Sequence, residues 1–444
     1  MVLFYILKFT IMEKNFDTLE EILYSHSNNK IIPGLERIQR LLSRLDNPQD
    51  KFQAVHIVGT NGKGSTGAFI SSALSAAGYK TGFYSSPHLE SPGERLLING
   101  QALGPDEWIR AAQEVVKAIP KDSPEDLPSY FEILTACAFC LAREKNIEVG
   151  VIEAGLGGKL DATNVMSNTI CSVIASISFD HMEYLGPTLE SIAGEKFAVI
   201  KKNIPACFAG VDKSLIPMFK NFCAERNSPG FVLSESAAIS NIKISPEGNT
   251  FDFDSQDLKL KGVRTKLIGD YQISNAALSL LALSKIKKFL PRLDENSIRL
   301  GLSKAAWPGR LEIISREPLI VFDGGHNFDG VKKLCASVKN LWPGKKIGVV
   351  YAAMRDKDYE GCLELLNGNL CPAFYAATVP GMSRALTPAE LLSAAKKFSW
   401  KNSPEGFESP NEAIQKAVED QNELILVCGS LYLIGELKRH RLDS

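Results

Sequence analysis

FQAVHIVGTNGKGSTGAFISSALSAAG (52–78) decides the fold. Residues 52–58 are apolar and β-branched, which predicts a strand buried on both faces. GTNGKGST (59–66) follows, and the alanine-rich run after it predicts a helix stopped by Gly78. Strand, glycine loop and helix in that order make a phosphate loop. The glycines let backbone N–H groups turn toward phosphate oxygens, and the helix start adds about half a unit of positive charge. Gly59, Thr60, Asn61, Gly62, Lys63, Gly64, Ser65 and Thr66 are therefore the candidate nucleotide-binding residues. Lys63 reaches the terminal phosphates, and Ser65 or Thr66 faces a metal. The common pattern places Ser or Thr directly after the lysine, whereas Gly64 intervenes here. The competing explanation is a glycine-rich turn with an incidental lysine. Flanking strand and helix favour the nucleotide.

Working outward, further strands are expected at 79–88, 149–155 and 169–181, with helical runs between them. Such alternation predicts a parallel sheet covered on both faces. Residues 240–268 alternate polar and apolar and predict a small antiparallel flank. AAWPGR (305–310) breaks a helical segment. A second alternating set follows at 318–325, 345–353, 373–379 and 423–430. The expected class is α/β. Residues 1–305 form a large P-loop NTPase-like domain, and residues 306–444 form a smaller Rossmann-like C-terminal domain.

The chain has 444 residues, enough for two or three domains at about 150 residues each. It is 45% hydrophobic and 23% charged, which excludes a disordered chain. Lys and Arg total 50 against 51 Asp and Glu, so nucleic-acid coating is not expected. Nine scattered cysteines in a chain this long suggest a reducing cytoplasm. No run of 18 apolar residues offers a membrane span. Residues 1–11 are apolar but make a poor signal peptide, because Lys8 interrupts them and no basic segment precedes them. Either translation starts at Met12 or residues 1–11 form a short appended strand. GLGG (155–158) falls short of a dinucleotide fingerprint, since Leu160 stands where Gly or Ala belongs. Cys137 and Cys140 lie in an apolar helical run with no second pair at zinc spacing, and read as core. No N-K-x-D motif reads a guanine base.

Nine ordered strings across about residues 55–433 carry a family resemblance. They include VGTNGKGST (58–66), YSSPHLESPGERLLING (84–100), SYFEILTACAF (129–139), VIEAGLGGKLDATNV (151–165) and FDHMEYLG (179–186). GDYQISNAALSL (269–280), WPGRLEII (307–314), FDGGHNFDG (322–330) and GSLYL (429–433) complete the set. The chain resembles the folylpolyglutamate synthase and dihydrofolate synthase family of the Mur ligase superfamily. That resemblance implies an ADP-forming ligase that joins L-glutamate to a pterin acid through an acyl phosphate.

The resemblance also implies the site. Ser86, Glu153 and His181 match the family's first magnesium site, and Lys196 matches a lysine carried as a carbamate at a second. Lys63, Glu153, His181 and Lys196 are the expected catalytic set. The family usually reads E-K-A-G here, whereas this chain has Phe197 and Ala198 after Lys196. Asn275, Arg310 and Asp323 match further ATP contacts. Asp323, His326 and Ser430 match residues near the incoming glutamate, with Gly325 and Phe328 departing from the usual alanine and proline. Tyr130, Phe131, Glu132, Leu160, Asp161 and Ala162 match the pterin side, Asp161 bonding the ring and Phe131 stacking on it. SPHLESPGERLLING resembles the family's mobile loop over substrate. LDATN resembles members that also accept dihydropteroate, which implies a bifunctional enzyme.

Simpler roles exist for several of these residues. His181 is otherwise a hydrogen-bonded histidine beside Asp180, Lys196 a solvated helix lysine, Arg310 a surface ion pair and Phe131 core packing. The expected partners are ATP, magnesium, L-glutamate, dihydropteroate and tetrahydrofolates, with no nucleic acid, no membrane and a monomeric state. The alternatives are a monofunctional folylpolyglutamate synthase, another Mur-type ligase, and a non-catalytic ATP-binding module. A cell-wall Mur ligase generally has an added N-terminal nucleotide domain, and only 58 residues precede Gly59.

Overall fold

The computed structural model describes residues 15–28, 33–120 and 127–439. Met12 and residues 1–11 lie outside the described residues. The chain is α/β, with one large sheet, one small flank and a second sheet near the carboxyl end.

The large sheet contains β1 (Gln53–Val58), β2 (Thr81–Tyr84), β3 (Leu96–Ile98), β4 (Gln101–Ala102), β5 (Val149–Glu153), β6 (Thr169–Ile174), β7 (Ala206–Phe208) and β8 (Gly230–Val232). Its order is β4-β3-β2-β5-β1-β6-β7-β8. From β2 to β8 the pairing is parallel, and β3 and β4 add an antiparallel edge. β1 sits inside the sheet because both its faces are apolar. Val55 and Ile57 join a core shared with helices Lys63–Ala76 and Asp270–Ile286, while Ala54 joins the core under helix Tyr130–Glu144. Phe69 of the first helix is fully buried. Truncating it to alanine would cost about 3–5 kcal/mol and loosen the helix that continues the phosphate loop.

β9 (Ala237–Ser245), β10 (Gly248–Ser255) and β11 (Lys259–Thr265) form the antiparallel flank expected at 240–268. The second sheet holds β12 (Glu312–Arg316), β13 (Leu319–Phe322), β14 (Ile347–Tyr351), β15 (Ala373–Ala377), β16 (Glu405–Phe407) and β17 (Leu424–Cys428). Its order is β12-β13-β17-β14-β15-β16, with only β12 antiparallel. The carboxyl ends of β1, β2, β5 and β6 in one lobe, and of β13 and β17 in the other, deliver residues to one shared cavity.

Two strands stop earlier than the expected spans 79–88 and 169–181. β2 ends at Tyr84, because the chain then turns and Ser85 N donates to Arg95 O. The Glu94 carboxylate accepts from the backbone N–H groups of Leu89, Glu90 and Ser91 at 2.9, 3.0 and 2.9 Å, which ties the loop into a compact turn. β6 ends at Ile174, because Ser176 and Ser178 are drawn to the phosphate loop. Thr60 N donates to Ser176 O at 2.7 Å, and Ser178 N donates to Thr60 Oγ1 at 3.1 Å.

The loop after β2 also meets the second lobe. Leu89 packs into the apolar cluster of that lobe, against the helix Leu431–Arg439. A Cβ on Gly435 of that helix would stand 1.9 Å from Leu89 O, so only glycine permits the contact.

Candidate active site

The phosphate loop is built by close approaches. Gly62 has φ +86° and caps the helix Lys63–Ala76, and a Cβ there would strike Asn275 Oδ1 at 2.5 Å. Gly64, the departure from the common motif, lies under the indole of Trp307. A Cβ at position 64 would fall 2.5 Å from Trp307 Nε1. Trp307 also packs on Phe83, with ring centroids 5.1 Å apart. The extra glycine therefore admits an aromatic ring from the segment that joins the lobes.

Lys63 Nζ donates to Gly59 O at 3.2 Å and lies 3.7 Å from Glu153 Oε1. Glu153 ends β5 and is 4% exposed. Burial pushes its carboxyl up to about 7, although Lys63 and Arg310 pull the other way. Lys196 is 3% exposed, and its Nζ donates to Gly59 O at 3.1 Å. Burial, followed by the charge of Lys63, brings its amine down to about 7. Lys196 is thus a buried amine on the phosphate loop and not a solvated lysine. Phe197, the unexpected neighbour, packs among Phe208, Phe219 and Phe222 with centroids 5.2–5.7 Å away.

Ser86, Glu153, His181, Lys196, Asn275, Arg310, Asp323 and His326 all line one cavity with loop residues 59–65. His181 has φ +52° at the start of the short helix Met182–Leu185. Burial lowers its imidazole pKa, against the opposing pull of Asp180. Asp180 is the hinge of a polar seam between the lobes. Lys357 Nζ donates to its Oδ1 at 2.7 Å and Asn327 Nδ2 to its Oδ2 at 3.0 Å. Burial alone would raise the Asp180 carboxyl, but His181, Lys357 and Asn327 together hold it well below the usual range. Asn61 of the phosphate loop and Asn327 exchange amide hydrogen bonds at 3.1 Å in both directions.

Asp323, 3% exposed, accepts from Leu311 N at 2.9 Å, Gly325 N at 2.7 Å and the Tyr271 hydroxyl at 3.0 Å. Burial raises its carboxyl despite Arg310. Arg310 Nη1 donates to Gly309 O at 2.9 Å, inside the cleft rather than in a surface ion pair. Burial holds His326 neutral, at about 4. Two expected residues stand apart. Ser430 lines neither cavity described here, and its hydroxyl accepts from Tyr432 N at 3.1 Å. Thr66 is fully buried and its Oγ1 has no partner, whereas Ser65 lines the cavity.

A second, more apolar cavity adjoins the first and shares Ser86, Pro87, Gly155, Leu156 and Leu185 with it. Tyr130, Phe131, Glu132, Leu160, Asp161 and Ala162 line it. The Phe131 ring covers Gly155, where a Cβ would lie 2.5 Å from its edge. Glu132 is engaged locally, capping its own helix at Ser129 N and pairing with Arg37 at 3.3 Å. Arg95, from the loop expected over substrate, also lines this cavity, as do Tyr24 and Arg384, which sequence reasoning missed. The Tyr24 and Tyr130 rings lie 4.9 Å apart at 33°. It missed Lys357 and Asn327 as well. The rule that ligands gather beyond strand carboxyl ends points to both, after β14 and β13.

The residues fit magnesium. Glu153 is a buried carboxylate that lies 3.7 Å from Lys63, and Ser86 opens on the same cavity. Oxygen donors of this kind suit a hard divalent ion. Among the described residues no cluster of three or more His, Cys, Asp or Glu side chains forms a metal cage. The remaining ligands would be oxygens of a bound nucleotide.

Residues 57–283 match the Mur ligase middle domain, and residues 309–431 match the Mur ligase glutamate ligase domain. The chain is 36% identical over 416 residues to a dihydrofolate synthase/folylpolyglutamate synthase of Bacillus subtilis, covering 92% of this chain and 94% of that one. A Mycobacterium tuberculosis folylpolyglutamate synthase complexed with ADP superposes with a TM-score of 0.88 at 27% identity, over 96% and 98% of the two chains. An E. coli FolC in complex with DHPP and ADP superposes with a TM-score of 0.84 at 29% identity, over 96% of each chain.

Proposed function

The chain belongs to the Mur ligase family, in its dihydrofolate synthase/folylpolyglutamate synthase branch, and from that premise we propose how its cleft works. It is an ATP-dependent, ADP-forming ligase that adds L-glutamate to a pterin acid. The acceptors are dihydropteroate and, through the γ-carboxylate, reduced folates. LDATN at 160–164 supports the first and makes the enzyme bifunctional. The contiguity of the two cavities carries this reading. An acid seated against Phe131 and Tyr130 extends past Ser86 and Leu156 toward phosphates held at residues 59–65.

In the first step an acceptor carboxylate oxygen bonds to the γ-phosphorus and ADP leaves. In the second the glutamate amine attacks the acyl carbon, inorganic phosphate leaves and the amine loses a proton. Lys63, the loop N–H groups and Arg310 offset charge on the transferring phosphoryl group. Ser86, Glu153 and His181 would hold one magnesium ion and carbamylated Lys196 a second, adding positive charge where negative charge develops. A neutral Lys196 amine bonds to the carbon of CO2 and releases a proton, giving a carbamate anion, and its buried position favours that neutral amine. The seam at Asn61, Asp180, Asn327 and Lys357 holds the lobes together over the reacting groups, which excludes water. Asp323 and His326 serve the nucleoside and glutamate side, and Asn275 stands over Gly62.

Residues 1–305 carry the nucleotide and acceptor sites, and residues 306–444 form the glutamate ligase domain. The enzyme is monomeric, because its own two lobes supply every residue of this scheme. It is cytoplasmic, supported by nine unpaired cysteines, eight of them buried. Among the described residues no helix is long and apolar enough to cross a membrane. Mass spectrometry of products tests the proposal. Protein, ATP, magnesium and glutamate are incubated with dihydropteroate or tetrahydrofolate. A glutamyl adduct is expected on both. An adduct on tetrahydrofolate alone makes the enzyme monofunctional, and none on either overturns the reading.

A further inference from the structure

Beneath the acceptor cavity, β1 carries a histidine, His56, with no solvent exposure. It lines neither cavity. Its Nε2 lies 2.8 Å from Thr163 Oγ1. Thr163 is also fully buried, and its hydroxyl donates to Asp161 Oδ1 at 2.5 Å. Thr163 N donates to the same oxygen at 3.0 Å, and Leu156 N donates to Oδ2 at 2.8 Å. The three side chains form a continuous polar line from the strand that leads into the phosphate loop to a residue on the acceptor wall.

The donor inventory gives that line a direction. Backbone N–H groups donate to both Asp161 oxygens, so the carboxyl acts as an acceptor on each and the Thr163 proton is committed to it. Thr163 Oγ1 is then an acceptor toward the ring, and His56 must present Nε2–H. Nδ1 is left bare, and it is the His56 ring atom that has no partner. Burial, helped by nearby Lys201, lowers the imidazole to about 3, so the single-proton form persists at neutral pH. Two donors occupy Asp161 Oδ1, and the carboxylate is fixed before any ligand arrives.

We propose that His56 and Thr163 are positioning residues that orient Asp161 and so set the affinity for the acceptor acid without touching it. A core histidine that merely fills space needs no directed bond. Here both members beyond Asp161 are sequestered, and their donors run one way, toward the cavity. Pre-set orientation lowers the ordering cost of binding. The proposal rests on the acceptor assignment made above.

Full-length protein tests it with His56→Leu, His56→Gln, Thr163→Val and Thr163→Ser. Equilibrium titration reads the affinities for dihydropteroate and ADP, and thermal unfolding reads stability. His56→Leu and Thr163→Val should weaken dihydropteroate about tenfold, the scale of one buried hydrogen bond, and leave ADP within about twofold. His56→Gln and Thr163→Ser, which retain a donor, should recover most of the loss. The double variant His56→Leu/Thr163→Val should be no weaker than Thr163→Val alone, because both cut one line. Parallel weakening of ADP and dihydropteroate, or a fall in Tm with unchanged affinities, overturns the proposal. Should His56→Leu fail to fold, the Thr163 pair decides alone. A wild-type protein that binds no dihydropteroate overturns the acceptor assignment itself. Wild-type binding with indifferent variants overturns only the relay.

Discussion

Gly64→Ala would place a methyl group 2.5 Å from Trp307 Nε1 and 2.7 and 2.8 Å from two indole carbons. Ordinary contact between such atoms is about 3.5–4.0 Å, so the ring must retreat by about 1 Å. It cannot retreat freely, because it packs at 5.1 Å and a 42° tilt against Phe83, which is 2% exposed. Two effects oppose each other. Alanine favours the helical backbone by about 0.5–1 kcal/mol over glycine. Overpacking costs about 1–3 kcal/mol. The clash wins, and it falls one residue from Lys63. We therefore expect ATP affinity to drop about three- to thirtyfold, since about 1.4 kcal/mol is one decade. Nucleotide titration and the KM for ATP measure it. Trp307→Phe removes the atoms concerned, so Gly64→Ala/Trp307→Phe should bind ATP better than Gly64→Ala alone. Unchanged ATP affinity in Gly64→Ala, or no recovery in the double variant, would refute the account of the extra glycine.

Lys63→Ala and Glu153→Ala should each lower turnover by several orders of magnitude in an ADP-release assay, and near-normal activity in both would refute their roles. Intact-mass measurement in bicarbonate buffer should show one CO2 added at Lys196, and Lys196→Ala should recover some activity with added short carboxylates. An unmodified lysine in fully active protein would end the carbamate assignment. His56 has a folded-state pKa of about 3 against an ordinary value of 6.5. The folded chain therefore binds fewer protons between those values. Stability is complete above pH 6.5 and declines as pH falls, by about 2 kcal/mol at pH 5. In urea titrations the fall in stability from pH 6.5 to pH 5 should be about 2 kcal/mol smaller in His56→Gln than in wild type, what remains coming from other buried histidines such as His326.

Much of the nucleotide lobe was legible because local sequence and global fold agree there. The run at 52–58 is buried on both faces, and Gly62 needs its positive φ wherever the loop sits. The short strands β7, β8 and β16, of three residues each, carry too little pattern to stand out from loops. Strand ends were overread after Tyr84 and Ile174, where Ser85 and Ser176 already leave the strand for loop partners. Within the cleft, residues fixed by their own turn were legible, such as Asp323, which accepts from Gly325 N two residues on. Asp180–Lys357 was not, because its partners are 177 positions apart and only closure of the lobes creates the pair. Arg37 with Glu132 escaped because 95 positions separate them within one lobe.

The seat of Leu89 under Gly435 has a consequence for anyone dividing this molecule. Expressed apart, each half would retain an apolar interior, yet the first would lose the wall that braces its acceptor loop. Fragment complementation should then restore dihydropteroate binding only when the piece bearing Leu431–Arg439 is supplied, so the far end of the chain acts as a structural part of the near one.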